Sequence, residues 1–422
     1  MANQTAKNIV AFYDEACKQM SDNQVFASQM DVITKSGSMM QNAQNTYWES
    51  VEQQAPIVSG FDLSSTTPGD IIQQAYPLTV NAPRNDWFTI RAEELRDRSF
   101  MEKRAMAGSR KLSSDANKQA ADLVASTGSL YYETASADFD FVAEADALMT
   151  ERQAYRDMGA SFFLNPRTNQ AAAGNLASRS LYPGSRSEEA YAKGMIGKDV
   201  SGFDVFRAPT YGKVNAAVNA TTTTVATDVV EIPRGCSGTV DSPVNVDYRV
   251  GNISLTAGTN FRVGDVITFS TVNALGLMDK TDTEQLMTFK IMSVSTNDIT
   301  VYPKPIAAGQ AGITASQAAY ANISTPIVSG LTVSKVNVAG GQANSFWSND
   351  SVSFVNADGN LDVLNEFDGM KIVSETLDNG IKLYMAYDAN LSTLNCRVRL
   401  FTWYGLVNKD PSRNGSAIYV PA

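Results

Sequence analysis

The residue usage of the chain changes near residue 220, and no other feature limits its possible folds so strongly. Between residues 221 and 335, 18 of the 115 residues are Thr and 14 are Val, β-branched types that favour a pleated, half-buried surface. Short segments in this region alternate apolar and polar residues, for example FRVGDVITFS at 261–270 and MTFKIMSVS at 287–295. The pattern predicts a separate all-β unit, a meander or a small barrel, inside a mixed α+β chain.

The alternation also predicts which side chains of this unit point inward. In FRVGDVITFS, the residues Val263, Ile267 and Phe269 share one face, so we expect all three inside the barrel. Asn297 and Asp298 separate two of the predicted strands, and we expect them to form a tight turn. The unit is long enough to hold a core of its own, so we expect it to fold independently.

Helical sequence is concentrated before residue 160. Residues 91–126 are mostly good helix formers with interruptions near Gly108 and at Ser113 to Asp115, and they predict one long helix or a helix in two segments. A further helix is predicted over 136–157. Near the start of the chain, apolar residues at helical spacing predict an amphipathic arm helix. The stripe of this arm consists of Ile9, Phe12, Ala16 and Met20.

Strand patterns flank these helices. Residues 40–82 contain β-prone pieces interrupted by Pro and Gly, which predicts two strands joined by a long exposed loop. The segment 370–388 predicts a hairpin with its turn at Asn379 and Gly380. CRVRLFTWYG at 396–405 is the last strand that the pattern predicts.

The chain contains no histidine, and this excludes most catalytic designs. Nucleophile systems that need a histidine base and zinc sites with histidine ligands are both removed. The sequence also lacks a GxxxxGK[ST] phosphate loop, a GxGxxG motif and a CxxC pair. Its carboxylates, such as Glu93, Glu94 and Asp97, have the helical spacing of a solvated face. We therefore expect no enzyme, no metal and no cofactor.

The overall charge is acidic and the cysteines are few. A formal net charge of −10 disfavours attraction to DNA or to an anionic membrane surface, and no long apolar run predicts a membrane span. Three scattered cysteines fit a reducing compartment, so we expect synthesis in the cytosol. Residues 91–118 are a local exception, because eight Lys and Arg outnumber five Asp and Glu. Either a solvated helix face or a surface that tolerates nearby DNA explains this excess.

Six segments, in order, strongly resemble the major coat, or capsid, proteins of short-tailed phages of Salmonella and Shigella. They are PRNDWFTIRAEELRD (83–97), ERQAYRDMGASFFLNP (151–166), FRVGDVITF with ALGLM (261–278), VYPKPIA with AYANI (301–323), NSFWSND (344–350) and WYG (403–405). Each segment is weak alone, but six in the same order through nearly the whole chain are specific. The similarity is weaker at 221–260 and after residue 406.

The resemblance implies an α+β fold of the Hong Kong 97 phage type, with an all-β barrel inserted as a separate domain. The implied parts are an N-terminal arm (1–38), an extended loop with flanking strands (39–82), a peripheral domain with a spine helix (83–150), an axial domain (151–221), the inserted barrel (222–343), and a return through the axial domain and the peripheral strands (344–422). The inserted barrel would project from a shell and support subunit folding and contacts between neighbours.

The resemblance also implies a function. The protein would be a major capsid protein that assembles with a scaffolding protein into an icosahedral procapsid, and then a mature head around double-stranded DNA. Its partners would be other copies in hexamers and pentamers, the scaffolding protein, a portal ring at one vertex and the packaged DNA, with no membrane. It would be made in the host bacterial cytoplasm and reside in the virion.

The resemblance carries over to four acidic residues. In the family an acidic position of the arm meets a basic helix of the scaffolding protein, and Asp14 and Glu15 match that position. Acidic residues in a loop of the inserted domain contact a neighbouring capsomer, and Asp241 and Asp247 are the candidates in this chain. Both assignments imply binding rather than catalysis.

Two other protein classes also fit the sequence. A β-rich carbohydrate-binding or adhesin-like protein would share the Thr- and Val-rich unit, and a histidine-free glycosidase would use a pair of carboxylates. Particle size separates a capsid protein from a lectin, because a shell runs as megadalton particles. A glycan array and a panel of glycosidase substrates test the other two classes.

Overall fold

The computed structural model describes residues 4–35, 46–64, 68–91, 93–154, 156–178, 197, 200–218, 222–239, 242–357, 361, 370–390 and 395–421. The chain divides into two compact units. Unit 1 consists of Met1–Tyr47, Pro77–Ala120 and Val352–Val407, and unit 2 consists of Trp48–Tyr76, Ala121–Ser351 and Asn408–Ala422. Each unit is built from separated stretches, so each core depends on contacts between residues far apart in the sequence.

The helices and the strands of the described residues are each numbered in chain order. The helices are α1 (Gln4–Asn23), α2 (Arg98–Thr127), α3 (Phe139–Glu151), α4 (Pro166–Ser178) and α5 (Ala315–Ala318). The strands are β1 (Asp31–Lys35), β2 (Thr46–Ser50), β3 (Ala75–Thr79), β4 (Arg84–Arg91), β5 (Leu130–Thr134), β6 (Ala160–Leu164), β7 (Asp204–Arg207), β8 (Lys213–Val214), β9 (Thr223–Thr224), β10 (Ser237–Thr239), β11 (Ser242–Val244), β12 (Gly251–Ser254), β13 (Val266–Phe269), β14 (Asn273–Leu275), β15 (Asp282–Leu286), β16 (Phe289–Ser295), β17 (Asp298–Tyr302), β18 (Thr332–Lys335), β19 (Gly341–Ser348), β20 (Val352–Ala357), β21 (Met370–Thr376), β22 (Lys382–Asn390), β23 (Asn395–Thr402), β24 (Tyr404–Asn408) and β25 (Asn414–Tyr419).

Unit 1 packs two helices against an antiparallel sheet of strand order β21-β22-β23-β4. The shared core includes Phe12 from α1, Met101 from α2 and Leu400 from β23. The predicted arm helix is confirmed, because Phe12, Ala16 and Met20 are each at most 1% exposed. A second sheet of this unit, β1-β20-β24, pairs the first strand of the chain in parallel with β20.

The long helix α2 is continuous, so the alternative of two segments divided near Gly108 or at Ser113 to Asp115 is wrong. It begins at Arg98 rather than at residue 91, because Arg91 ends strand β4. Gly108 lies on the buried side of α2, where an added Cβ would come within 2.6 Å of Asp86 Oδ2. The hydroxyl of Ser109 donates to the carbonyl of Ala16 at 2.9 Å. Residues that resemble a helix break in the sequence therefore serve close packing, which offsets the roughly 1 kcal/mol that Gly costs in a helix.

Unit 2 contains a mixed sheet of strand order β5-β25-β19-β6-β7, with β8 paired to β19. Both faces of this sheet are buried. Phe162 stacks on Phe346 at 5.5 Å on one face, and Phe163 stacks on Trp347 at 4.4 Å on the other. Burial on both faces explains why β6, ASFFL, is a continuous apolar run rather than an alternating one.

The Thr- and Val-rich region forms a six-stranded antiparallel sheet of order β12-β17-β16-β13-β18-β9. Its edges meet, because the Ala226 amide donates to the Ser254 carbonyl at 2.8 Å and the Thr256 amide to the Thr224 carbonyl at 3.0 Å. These bonds close the sheet into a small barrel with its own apolar core. Closure leaves few unpaired backbone groups at the sheet edges.

Two predictions about the barrel are wrong in detail. Ile267 and Phe269 are fully buried as expected, but Val263 is 64% exposed. The chain turns before β13, where Gly264 has a φ of +90° and its amide donates to the Ile291 carbonyl at 2.8 Å. The strand therefore starts only at β13, where Ile267 and Phe269 point into the barrel core while Val266 packs in a separate buried cluster. The turn between β16 and β17 is formed by residues 296–297, so Asp298 is already the first residue of β17.

Helix α3 is shorter than the predicted 136–157. It ends at Glu151, and Gln153 then adopts a left-handed φ of 53°. Between these two residues, Arg152 is buried and donates through Nη2 to Thr288 Oγ1 at 3.2 Å. Burial lowers the pKa of Arg152 to about 10. The C-terminal end of α3 is thus fixed by a buried cation that the helical pattern did not reveal.

Candidate assembly surfaces

The two most exposed large apolar side chains of the described chain lie between β2 and β3. We call residues 51–64 and 68–74 the extended loop, whose two ends are joined by pairing of β2 with β3. In this loop Ile57 is 98% exposed and Phe61 is 113% exposed. Val58, Leu63 and Ile71 are also exposed. Several large apolar side chains exposed in one loop are typical of a surface that binds another chain.

Side chains of the barrel region hold the base of this loop. The hydroxyl of Tyr320 accepts from the backbone N–H of Gln54 at 3.1 Å and donates to the backbone carbonyl of Ile72 at 3.0 Å. Lys280 Nζ donates to Gln54 Oε1 at 3.1 Å, and burial lowers the pKa of Lys280 to about 8. The base of the extended loop is therefore anchored, while its apolar tip is exposed.

The candidate scaffold-binding residues lie on the outer side of α1. Asp14 is exposed and Glu15 is half-buried, with Glu15 Oε1 accepting from Gln19 Nε2 at 3.1 Å. On the inner side, the hydroxyl of Tyr13 donates to the Leu383 carbonyl at 2.6 Å. Packing of the inner side fixes the direction in which Asp14 points. Lys18, one turn later, is also exposed, so this side of α1 is not purely acidic.

Of the two candidate inter-capsomer residues, Asp241 lies outside the described residues. Asp247 forms a two-oxygen ion pair with Arg249, with separations of 2.8 and 2.9 Å. Arg249 Nη1 in turn donates to the carbonyls of Asn408 at 2.7 Å and Lys409 at 3.0 Å. Asp247 thus orients a cation inside its own subunit, while about 30% of its side chain remains exposed.

Sequence reasoning missed Arg249 and Tyr320, which tie separate parts of unit 2 together. The guanidinium of Arg249 lies 5.1 Å from the Tyr76 ring and 5.5 Å from the Tyr302 ring, a cation–π arrangement. The spacing of Asp247 and Arg249 was a usable signal, since residues two apart in extended chain share a face. Tyr320 had no such local signal, because both of its partners lie more than 240 positions away.

The described residues contain neither a cluster of metal ligands nor a membrane-spanning helix. No group of three or more Cys, Asp or Glu side chains is placed so that it could hold a metal ion. No described helix is both long and apolar enough to span a membrane.

Structures from phages are among the solved structures to which the chain is similar. The chain is similar to a structure from Mycobacterium phage Che8, with 11% identity over 94% of this chain and 92% of the other, and a TM-score of 0.43. It is similar to the capsid of cyanophage P-SCSP1u, with 10% identity over 94% and 89%, and a TM-score of 0.47. A coat protein I-domain of CUS-3 covers 28% of this chain and 97% of its own length, with 20% identity and a TM-score of 0.21.

These structural similarities are weak, whereas the similarity to one protein family extends over nearly the whole chain. The family model described as P22 coat protein, gene protein 5, matches residues 1–419. The predictions of the α+β capsid fold, of a non-enzymatic major capsid protein that self-associates, and of a place in the virion are thereby confirmed. The chain belongs to the P22 coat protein family.

Proposed function

We propose that this capsid protein assembles with a scaffolding protein into an icosahedral precursor shell, which matures into an expanded head around double-stranded DNA. A portal ring would occupy one vertex, and synthesis would take place in the cytoplasm of a host such as Salmonella or Shigella. The exposed apolar tip of the extended loop carries this proposal, because a second copy of the chain can bury it. Closed shells of one chain repeat such contacts around symmetry axes.

The domain bounds proposed from the sequence assign a task to each part. The barrel within 222–343 would support folding of the subunit and contact neighbours. The arm (1–38) and the extended loop would adapt to hexamers and pentamers, which place one sequence in slightly different surroundings. Asp247 would contact a neighbouring capsomer through the part of its carboxylate that Arg249 leaves exposed, with Asp241 as the second candidate.

Asp14 and Glu15 are proposed to bind a basic helix of the scaffolding protein. Replacing both with Lys should reduce the scaffold content of assembled shells, while the isolated subunit keeps its melting temperature. Each surface ion pair contributes at most about 1 kcal/mol and weakens with salt, but repetition across a shell amplifies the loss. The measurement is the ratio of scaffolding protein to coat protein in purified precursor shells.

A matched control makes the same charge change elsewhere. Asp140 and Glu144 are exposed carboxylates on α3, so the variant Asp140→Lys with Glu144→Lys should keep its normal scaffold content. Unchanged scaffold content in the Asp14→Lys, Glu15→Lys variant would refute the assignment of these two residues. An equal loss in both variants would point to net charge rather than to a specific contact.

A further inference from the structure

The outer side of α2 carries a row of exposed cations in an otherwise acidic chain. Lys103, Arg110, Lys111 and Lys118 are all exposed, and all lie in the part of α2 that belongs to unit 1. At about 100° per residue they fall within an arc of roughly 100°, so they form one stripe. With a rise of about 1.5 Å per residue the stripe is about 22 Å long. We call these four residues the basic stripe.

The cations of the basic stripe are not neutralised within the described part of the chain. By contrast, two nearby cations are neutralised by ion pairs. Arg98 pairs with Glu102 at 2.7 Å, and Arg104 pairs with Asp86 at 2.7 Å. None of the four stripe residues forms such an ion pair with a described carboxylate. Two acids of the helix, Asp115 and Asp122, lie about 20–40° outside the arc, and Asp115 pairs with Arg84 at 3.5 Å.

The composition of the stripe indicates the kind of partner. Between positions 103 and 118, the two other exposed residues inside the arc are Ala107 and Ser114, which are both small. One exposed large apolar side chain of α2, Phe100, lies beyond the N-terminal end of the stripe and is 38% exposed, whereas the described residues from 101 to 138 include none. Protein–protein interfaces are depleted in Lys and enriched in aromatic residues at their centres, so this surface does not resemble one. A row of exposed Lys and Arg without carboxylate partners resembles instead a surface that contacts phosphates.

We propose that the basic stripe faces the enclosed double-stranded DNA and contacts its phosphate backbone without reading its sequence. This inference rests on the proposed function, in which the shell encloses DNA. A duplex carries one phosphate charge per about 1.7 Å of its axis, so 22 Å of axis presents roughly 13 phosphates to four cations. The contact offsets locally the repulsion between DNA and a subunit with a net charge of −10.

The test compares DNA-filled heads with emptied heads of the same maturity. Reductive methylation with formaldehyde and dimethylamine–borane labels accessible lysines, because the borane reduces the imine that formaldehyde forms with each amine. Both reagents are small enough to enter a head, and mass spectrometry measures each site. We expect Lys103, Lys111 and Lys118 to be protected in filled heads and to react in emptied heads. Lys213 and Lys371, which are also exposed in the subunit, should react equally in both. Equal labelling of the stripe in both states would overturn the proposal.

The same experiment separates DNA from another copy of the chain. If a neighbouring subunit covers the stripe, its lysines will be protected in emptied heads as well, and the proposal fails. If wild-type protein forms no shells at all, the proposed function fails before this inference is tested, and the two failures are distinguishable. If shells form and fill while the stripe reacts freely, only this inference fails.

A variant provides the second measurement. Changing all four stripe residues to Gln keeps a good helix former at each exposed position, so shells should still assemble. The variant heads should release their DNA at a lower temperature than wild-type heads, with a difference that shrinks as salt rises. The control changes Lys213, Arg234, Arg262 and Lys371 to Gln, an equal loss of exposed charge outside α2. Equal release temperatures for the two variants would overturn the proposal.

Discussion

Replacing Phe269 by alanine is expected to lower the free energy of unfolding of the barrel by about 3–5 kcal/mol. The Phe269 side chain is fully buried and meets the Phe289 ring edge-on at 5.5 Å. Its removal takes away apolar burial and leaves a cavity that the closed sheet cannot easily fill. A domain of this size has a total stability of about 5–15 kcal/mol, so the loss is a large part of the whole.

The measurement is thermal melting, followed by circular dichroism, on residues 222–343 expressed alone and on the full chain. The wild-type fragment should melt cooperatively, and Phe269→Ala should unfold it or lower its melting temperature strongly. In the full chain the same change should give aggregation or poor assembly, because exposed intermediates persist. Val263→Ala is the control, since Val263 is 64% exposed and should leave the melt unchanged. An unchanged melt for Phe269→Ala would contradict the assigned core.

Changing Ile57 and Phe61 to Asp together should abolish shell formation while the subunit remains folded. Both side chains protrude from the extended loop and are almost fully exposed, so Asp should disturb nothing inside the subunit. In a shell these residues would be buried against another copy, where an unpaired carboxylate is costly. Because every subunit repeats the contact, a loss at one position is multiplied across the particle.

Sedimentation of the purified variant measures this prediction, and circular dichroism verifies the fold. The control changes Val230 and Val338, which are 67% and 64% exposed outside the extended loop, to Asp. Shells should form in the control and not in the loop variant. Normal shells from the Ile57→Asp, Phe61→Asp variant would show that the loop tip is not a required contact.

Local patterns in the sequence predicted the elements whose signals are periodic. Phe12, Ala16 and Met20 at helical spacing identified α1 and its buried side, and the Thr- and Val-rich segments identified the barrel strands. The extended loop was also predictable, because Pro and Gly interrupt β-prone pieces over 40–82. In each case burial on one side leaves a regular trace in neighbouring residues.

Features that depend on distant residues were not predictable in this way. Val263 was assigned to the core because it continues the alternation of β13, but a turn at Gly264 interrupts the strand. The sequence does not predict β25, because this strand depends on pairing with β5 and β19 and its residues do not alternate between apolar and polar. Arg249 and Tyr320 act through partners far away in the chain. Long-range contacts of this kind leave no local pattern, so only the three-dimensional structure reveals them.

Electron microscopy of the full chain, co-expressed with its scaffolding protein, tests the central claim most directly. The claim is that this member of the P22 coat protein family builds a closed shell by self-association, using the exposed surfaces described above. We predict closed particles of uniform size. Monomers and small oligomers alone, from protein that is folded by circular dichroism, would contradict the account.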